Sequence, residues 1–299
     1  MNAHSTPPHL CRRTCLAGLL ALASLAHAQP PAAQAKAPQV VKSRDGTRIA
    51  YDKWGQGPAV IVVGGALSDR RGAAELAQLL AGRLTVYSYD RRGRGDSSDT
   101  PPYAVAREVE DIEALIDNAG GSAYVYGKSS GAALALQAAA ALGRKVTRLA
   151  LYEAPYNEAP GAAGEWRTFT AKTDGLLADG RRAEAITAFM TFVGAPADVV
   201  AKMKASPAWP GMLAMAPTLA YDNAMLGADR AVPVDLAAKV KVPTLVLDGG
   251  ASAGPMPFMR PTADKLAQAI PGAQRRTVEG QAHDISPKAL APLLLTFFN

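Results

Sequence analysis

The sequence predicts an α/β fold in which a doubly wound, mostly parallel sheet carries a helical cap as an insertion. Three observations lead to this prediction. Apolar runs of strand length alternate with helix-length segments along most of the 299 residues, a pattern that favours a parallel sheet covered by helices. One apolar run breaks at a serine between two glycines and restarts as an alanine-rich helix, and the stretch 156–239 contains helical segments alone.

The N-terminal stretch, 1–28, is predicted to be a signal peptide outside the fold. The pair Arg12-Arg13 precedes an apolar segment from Cys15 to Leu25, and Ala26-His27-Ala28 offers a small-x-small cleavage site. These are the three parts of a secretory signal. The arginine pair also resembles a twin-arginine signal, so both export routes stay open. We therefore expect a periplasmic or secreted protein that is cut after Ala28.

Cleavage would change the chemistry available to the mature chain. Cys11 and Cys15 would be lost, which leaves no thiolate for a disulfide, a metal or nucleophilic catalysis. Every histidine except His283 would also be lost, so any step that needs an imidazole must use His283. We expect neither a cofactor nor a metal.

Charge and hydropathy restrict the partners of the mature chain. Cleavage would reduce the basic residues from 32 to 30 against 26 acidic ones, so the net charge would fall from +6 to +4. A charge this modest indicates no nucleic-acid partner. No later apolar run reaches the roughly 20 residues that a membrane span requires. We expect a small-molecule substrate and no stable membrane insertion, and the oligomeric state stays open.

The first half of the core begins after a flexible tether at 29–37, which is rich in Pro, Ala and Gln. Asp45-Gly46 separates two short apolar runs, which is a hairpin signal. Ala59 to Val63 is a continuous apolar run, typical of a strand buried on both faces. Acidic and apolar residues interleave at helical spacing over 105–116. The elements predicted before the serine motif are strands at 40–41, 49–51, 59–63 and 84–89 and helices at 73–80 and 105–116.

The second half of the core surrounds the cap. The alanine-rich helix at 131–142 has side chains small enough for the helix to lie close to the sheet. From 156 to 239 the alternation of strands and helices stops, and only helical segments with large apolar side chains follow. We interpret this stretch as the cap. The core is therefore placed at 38–155 and 240–299. The other elements predicted here are strands at 124–126, 149–152, 244–247 and 276–278 and helices at 263–269 and 287–298.

The serine motif, Gly127-x-Ser129-x-Gly131, is typical of a nucleophile elbow, in which a strained turn between strand and helix exposes the serine hydroxyl. Glycine is expected on both sides because a side chain there would collide with the reversing backbone. Ser130 lacks glycines at these two spacings, so Ser129 is the predicted nucleophile.

Four features together resemble the α/β-hydrolase fold family over about Val40 to Phe298. They are the serine motif, the Gly64-Gly65 turn after the third strand, a D-x-R-G-x-G-x-S-like loop at 90–97, and Gly280 to His283 before the last helix. The resemblance implies a triad in the order Ser, acid, His, with the histidine just after the last strand. The arginines of the 90–97 loop are expected to form a solvated or loop-bracing face.

His283 occupies the position that the resemblance assigns to the catalytic base. A serine hydroxyl is a poor nucleophile until a base accepts its proton, and an imidazole can accept that proton and return it to the leaving group. The alternative is that His283 only packs against or caps the last helix. Its position and its status as the single mature histidine favour the catalytic interpretation.

Two carboxylates are favoured for the acid of the triad, and Asp284 or no acid at all stay open as alternatives. The commoner family pattern places an aspartate a few residues beyond the strand at 244–247, where this sequence has Ser252. Asp248 ends that strand, whereas Glu153 ends the preceding strand, a position that haloalkane dehalogenases use for their acid. Asp248 would also suit a turn-stabilising role before two glycines. The acid would hold the imidazole in the right tautomer and stabilise its charged form.

An oxyanion hole is implied at the same place. The elbow would supply the backbone N–H of Ser130, and the turn after the third strand would supply a second donor from Ala66, or from Gly65 beside it. Gly64 stands where many relatives have histidine, so that supporting side chain is missing.

These features predict a serine hydrolase that cleaves a small, largely apolar ester, thioester or lactone through an acyl-enzyme. One alternative is a cofactor-free perhydrolase or acyltransferase, which can use the same triad. Another is a non-catalytic ligand-binding protein on a hydrolase fold, which the missing aspartate at Ser252 favours. Dehalogenases and epoxide hydrolases of the family have an aspartate at the elbow, which argues against both chemistries here.

Overall fold

The computed structural model describes residues 37–299. The predicted signal peptide, 1–28, and the predicted tether, apart from Ala37, lie outside the described residues. Residues Pro38–Asn299 form one compact unit. None of the helices described from residue 37 onwards combines the length and apolar character that crossing a bilayer requires.

The described chain contains the predicted alternation of strands and helices around a single sheet. The strands are β1 (Gln39–Lys42), β2 (Arg48–Trp54), β3 (Ala59–Val63), β4 (Thr85–Tyr89), β5 (Ala123–Lys128), β6 (Val146–Tyr152), β7 (Thr244–Gly249) and β8 (Gln274–Val278). The core helices are α1 (Ala74–Leu80), α2 (Val105–Asn118), α3 (Ser130–Leu142), α10 (Met259–Ala269) and α11 (Pro287–Phe298). The helices between the halves of the core are α4 (Ala162–Ala178), α5 (Arg182–Phe192), α6 (Ala197–Lys204), α7 (Trp209–Met215), α8 (Leu219–Leu226) and α9 (Val234–Ala237).

The sheet has eight strands in the order β1-β2-β4-β3-β5-β6-β7-β8. The β1–β2 and β2–β4 pairs are antiparallel, and the pairs from β4 to β8 are parallel. The prediction of a mostly parallel sheet is therefore confirmed. Because β3, β5, β6 and β7 run in one direction side by side, the loops after their carboxyl ends meet at one edge of the sheet.

Both faces of the sheet are buried, as a doubly wound fold requires. Ile61 and Val63 of β3 pack with α2, α3 and α10 on one face, whereas Val60 and Val62 pack with α1 and α11 on the other. All four side chains are at most 5% exposed. Successive side chains of a strand point to opposite faces of the sheet, and here both faces are apolar cores. This explains why the sequence of β3 is a continuous apolar run.

Three elements begin at least two residues earlier than the apolar pattern predicts. Strand β6 starts at Val146, strand β8 at Gln274 and helix α10 at Met259. In β8 the side chains of Gln274 and Arg275 are polar, yet their backbones pair in register with β7. Sheet pairing is a property of the backbone, so it extends past the point where side-chain periodicity stops.

Candidate active site

Ser129 lies in the tight turn between β5 and α3, with φ 58° and ψ −132°. A residue with a Cβ rarely adopts a positive φ, and a nucleophile elbow holds its serine in such a strained conformation. A Cβ at Gly127 would lie 2.2 Å from the carbonyl oxygen of Gly131, and one at Gly131 would lie 2.3 Å from that of Val63. The turn therefore requires glycine at both positions.

The loop after β3 approaches the serine closely. A Cβ at Gly65 would lie 3.0 Å from Ser129 Cβ, tighter than nine in ten real Cβ contacts. The Ser68 hydroxyl donates to the Gly65 carbonyl over 2.7 Å, and Arg94 Nη1 donates to the same oxygen over 2.5 Å. These two bonds fix the peptide that leads to Ala66. The loop therefore sits against the elbow in a defined conformation.

The predicted oxyanion donors all border one cavity, which Gly65, Ala66, Ser129 and Ser130 line. The N–H of Ser130 belongs to the first turn of α3, where amides have no acceptor within the helix. The N-terminus of a helix also favours negative charge nearby. This corner of the cavity is thus suited to an oxygen that develops negative charge.

Arg94 contradicts the expectation of a solvated face in the 90–97 loop and fits the loop-bracing alternative. It is 1% exposed. Besides the Gly65 carbonyl, it donates to Thr218 Oγ1 over 3.0 Å and to Asp222 Oδ2 over 2.8 Å. Asp222, in α8, also accepts from the buried Arg91 over 2.6 Å. The arginines of this loop therefore connect the oxyanion corner to a helix between the two halves of the core.

His283 lies after β8, where its imidazole faces a carboxylate. Its Nδ1 is 2.7 Å from Glu153 Oε2. The other oxygen of Glu153 accepts from the Gly249 amide over 2.8 Å, and the side chain is completely buried. The Tyr152 hydroxyl donates to the Ala282 carbonyl over 2.6 Å, which holds the histidine loop against β6. Both carboxylate oxygens of Glu153 thus have partners, and one of them orients the imidazole.

Asp248, the other candidate acid, has partners other than this histidine. Its Oδ1 accepts from Thr277 Oγ1 over 2.7 Å and pairs with Arg275 Nη1 over 2.8 Å, while Oδ2 accepts from Arg260 Nε over 3.2 Å. Burial would raise the pKa of Asp248, but the hydrogen bonds from Arg275 and Thr277 outweigh it and lower the pKa. Asp248 therefore ties β7 to β8 and α10, and it makes no contact of this kind with His283.

Ser129 and His283 line the same cavity, yet the described residues include no hydrogen bond between them. Such bonds are often long in unliganded enzymes and tighten when substrate binds. The neighbours of the two residues are linked, because Lys128 Nζ and Asp284 Oδ1 form an ion pair of 2.7 Å. The Asp284 side chain is fully exposed, so this pair contributes little to stability.

The cavity has a volume of about 1020 Å³. Its polar corner holds the elbow, His283 and the loop after β3 with Gly65 and Ala66, which is the predicted oxyanion loop, and most of the remaining wall is apolar. That wall includes side chains from α4, α5 and α8 and from the segment before α10: Trp166, Phe189, Phe192, Leu226, Met256 and Phe258. Residues of the predicted cap therefore line the same cavity as the serine, and the segment after Asp248 adds apolar wall.

The sequence reasoning missed one buried cation at this wall, Arg230, and the role of Asp222. Asp222 has no local signal beyond its place in an apolar helix, and its partners lie more than 120 positions away in the chain. Arg230 follows the acidic Asp229, which suggests a solvated pair. A charged residue within a long apolar insertion can indicate a buried charge, but the sequence does not show which distant residue would pair with it.

The protein-family comparison matches residues 59–292 to the model of the Alpha/beta hydrolase family. Among solved structures, an alpha/beta hydrolase from Sphaerobacter thermophilus DSM 20745 is 52% identical with a TM-score of 0.79, covering 87% of this chain and 100% of that one. The enol-lactonase from Burkholderia xenovorans LB400 is 22% identical with a TM-score of 0.62, covering 87% and 99%. That second likeness concerns the fold alone.

A curated protein, the uncharacterized hydrolase YraK of Bacillus subtilis (strain 168), is 35% identical over 95 residues, or 30% of this chain. The matched part is about a third of that protein's length, 35%. The family model, by contrast, runs from β3 into α11 and includes Ser129, Glu153 and His283. The chain therefore belongs to the alpha/beta hydrolase family.

Proposed function

We propose that the protein is a serine hydrolase that cleaves an ester, thioester or lactone bond of a small, largely apolar substrate. The observation that carries the proposal is the 2.7 Å contact between His283 Nδ1 and the buried Glu153 carboxylate, at the cavity that Ser129 lines. A buried carboxylate leaves the imidazole oriented, with its other nitrogen available to a hydroxyl. Membership of a hydrolase family supports the same conclusion.

In this mechanism Ser129 attacks the carbonyl carbon while His283 accepts the proton of its hydroxyl. The negative oxygen that forms is stabilised by the N–H groups of Ser130 and of Ala66 or Gly65, each worth about 3 kcal/mol in the transition state. His283 then gives its proton to the leaving group, and an acyl-enzyme remains. Water attacks the acyl carbon with His283 again as base, which releases the acid and restores Ser129.

Glu153 stabilises the imidazolium that forms twice in this cycle. Its backbone has φ 48°, an unusual conformation for a residue with a Cβ. Its amide donates to the Leu247 carbonyl over 3.0 Å, so the pairing of β6 with β7 fixes this backbone. The carboxylate is thereby aimed along the edge of the sheet toward the loop after β8.

Labelling with a fluorophosphonate probe tests the proposal. The wild-type protein is expected to form a covalent adduct at Ser129, and the variant Ser129→Ala is expected to form none, because the probe reacts only with an activated serine. Ser252→Ala is the matched control, since the Ser252 hydroxyl is buried without a partner among the described residues and does not line the cavity. This variant is expected to label like the wild type.

The alternatives make different predictions in the same experiment. A wild-type protein that folds but does not label would favour a ligand-binding protein on a hydrolase fold. A protein that labels and hydrolyses p-nitrophenyl acetate, but transfers the acyl group faster to peroxide or an alcohol than to water, would favour perhydrolysis or acyl transfer.

A further inference from the structure

Arg230 is a buried cation at the wall of the catalytic cavity. Its side chain lines that cavity, and the residue is only 7% exposed. It lies in the loop between α8 and α9, with φ 55°. The backbone there is fixed, because the Arg230 carbonyl accepts from the Asn157 amide over 2.8 Å. The backbone that carries the guanidinium is therefore fixed at the cavity wall.

The contacts of this guanidinium are almost all aromatic. Its central carbon lies 4.9 Å from the ring centre of Phe258, 5.3 Å from that of Trp166 and 5.4 Å from that of Phe192. Nε donates to the Pro155 carbonyl. The aromatic faces attract the cation and hold its plane, but they are not conventional hydrogen-bond acceptors for its remaining N–H groups.

No carboxylate of the described residues lies within ion-pair distance of Arg230. The other charges near the cavity have partners or face solvent. Asp222 is neutralised by two arginines and Asp284 pairs with Lys128, and Glu75 is exposed. A buried charge is costly unless an opposite charge and hydrogen bonds compensate it. Arg230 thus has four unused N–H donors and no counter-ion within the part of the chain described.

The guanidinium stays charged at neutral pH. Burial lowers the pKa of Arg230 to about 10, which is still well above 7. A planar guanidinium with free Nη donors matches the two oxygens of a carboxylate, which it can bind through two parallel hydrogen bonds. An amide or a second ester would offer fewer acceptors and no charge.

We propose that Arg230 is a specificity-determining residue that binds a carboxylate of the substrate, so that the preferred substrate is an ester, thioester or lactone of a molecule that also carries an acid group. The inference rests on the proposed function and narrows its substrate class. The three aromatic rings around Arg230 form the apolar slot through which the carboxylate-bearing chain passes. The reacting carbonyl then lies at Ser129, and the carboxylate lies at Arg230.

The test compares matched charged and neutral esters. Monomethyl glutarate carries a carboxylate in its acyl part where dimethyl glutarate has a second neutral ester. In the second pair, the acetyl esters of 3-hydroxypropanoate and of its amide, the carboxylate or the neutral amide lies in the alcohol part of the ester. The wild-type protein is expected to prefer the carboxylate in at least one pair by about 10-fold or more in kcat/KM. Equal rates within both pairs would overturn the proposal.

The variant Arg230→Met keeps an unbranched apolar stem of somewhat shorter length and removes the charge. It is expected to lower kcat/KM for the preferred carboxylate ester by about 10- to 100-fold, mainly through KM, and to change the neutral partner less than about threefold. Arg230→Lys, which retains a point charge without the planar fork, should fall between the two. An equal loss on charged and neutral esters would show that Arg230 only packs against the rings.

A measurement on the unaltered protein covers the case in which the variants do not fold. Glutarate and glutaramide are compared as inhibitors of p-nitrophenyl acetate hydrolysis, and glutarate is expected to bind at least about 10-fold more tightly. Equal inhibition would contradict the proposal. Labelling of Ser129 distinguishes a failure of this inference from a failure of the proposed function. A protein that labels but shows no preference for carboxylates overturns this inference alone. A protein that does not label overturns the proposed function, and the binding of glutarate, measured by calorimetry, then still tests the role of Arg230.

Discussion

Two residues of the site, Ser129 and Glu153, adopt a left-handed backbone although neither is a glycine. Each follows a parallel strand at the same edge of the sheet, β5 for the serine and β6 for the glutamate. Conformations of this kind cost of order 1–3 kcal/mol and persist where the surrounding structure fixes them. Here the strand pairing supplies the constraint, because the Ser129 amide donates to the Tyr152 carbonyl over 2.9 Å.

The first prediction separates the two candidate acids. Glu153→Gln removes the charge that faces His283 and is expected to slow single-turnover acylation by several hundredfold or more, because the amide favours the wrong imidazole tautomer and cannot stabilise the imidazolium. Asp248→Asn is the matched control, since Asp248 contacts Arg275, Arg260 and Thr277 instead. It should acylate within about threefold of the wild type. The reverse ranking would assign the acid to Asp248.

At the scale of elements, the turn from β5 to α3 decides where the serine lies. A Cβ at Gly127 would approach the Gly131 carbonyl within 2.2 Å and the Ala132 Cα within 2.7 Å, and both are backbone atoms that cannot move aside. The sharpness of this turn explains why α3 consists so largely of alanine: nine of its residues are buried against the sheet and the neighbouring helices. Close packing needs small side chains.

The second prediction concerns these glycines. Gly127→Ala is expected to destabilise the fold by more than about 3 kcal/mol, because overpacking against backbone forces the strand and helix apart. Gly175→Ala is the matched control in the last turn of α4, where a Cβ would meet nothing within 4 Å. It should raise the free energy of unfolding by about 0.5–1 kcal/mol. Urea denaturation of both variants measures the difference, and a Gly127→Ala protein as stable as the wild type would contradict the collision.

At the scale of the whole molecule, buried ion pairs join helix α8 to the core. Asp222 of α8 binds Arg91 and Arg94, and Arg91 also makes two bonds of 2.6 Å to Glu108 of α2. Arg94 also donates a hydrogen bond to the Gly65 carbonyl, so the cluster extends to the oxyanion loop. The position of α8 and the geometry of the oxyanion loop are therefore mechanically linked.

The third prediction tests this link. Asp222→Asn leaves two buried arginines without their shared carboxylate and is expected to lower the free energy of unfolding by about 3–5 kcal/mol. Asp198→Asn, which removes an exposed pair with Lys202, should change it by no more than about 0.5 kcal/mol. Thermal and urea unfolding of the two variants provide the comparison, and similar losses would contradict a special role for the buried cluster.

The pH dependence of the same cluster follows from the pKa of Asp222. Burial alone would raise this pKa, but Arg94 and Arg91 outweigh it and the pKa is lowered. A carboxylate with a lowered folded pKa contributes stability above its unfolded value of about 3.9 and loses it as the pH falls through the folded value. The wild type should therefore lose part of its stability in acid, and Asp222→Asn should lose less over the same range.

The fold could be predicted from sequence because its signals are local and repeated. The continuous apolar run of β3, the alanine-rich α3 and the elbow glycines each reflect a constraint within a few residues of chain. The ends of elements were harder, as β8 illustrates, because its first residues are polar and are held only by their backbone bonds to β7. Arg230 and Asp222 carried no local signal, since their partners are far away in the chain.

The sequence by itself determined the elbow at Ser129, the alternating architecture and a single histidine, His283, beyond the predicted cleavage site. The tertiary structure decided that Glu153 and not Asp248 faces His283, that Arg94 braces the oxyanion loop, and that Arg230 is a buried cation at the cavity. The physical reason is one of range. Backbone sterics and side-chain periodicity act between neighbours in the chain, whereas the orientation of a carboxylate and the burial of a charge depend on which distant strands and helices the sheet brings together.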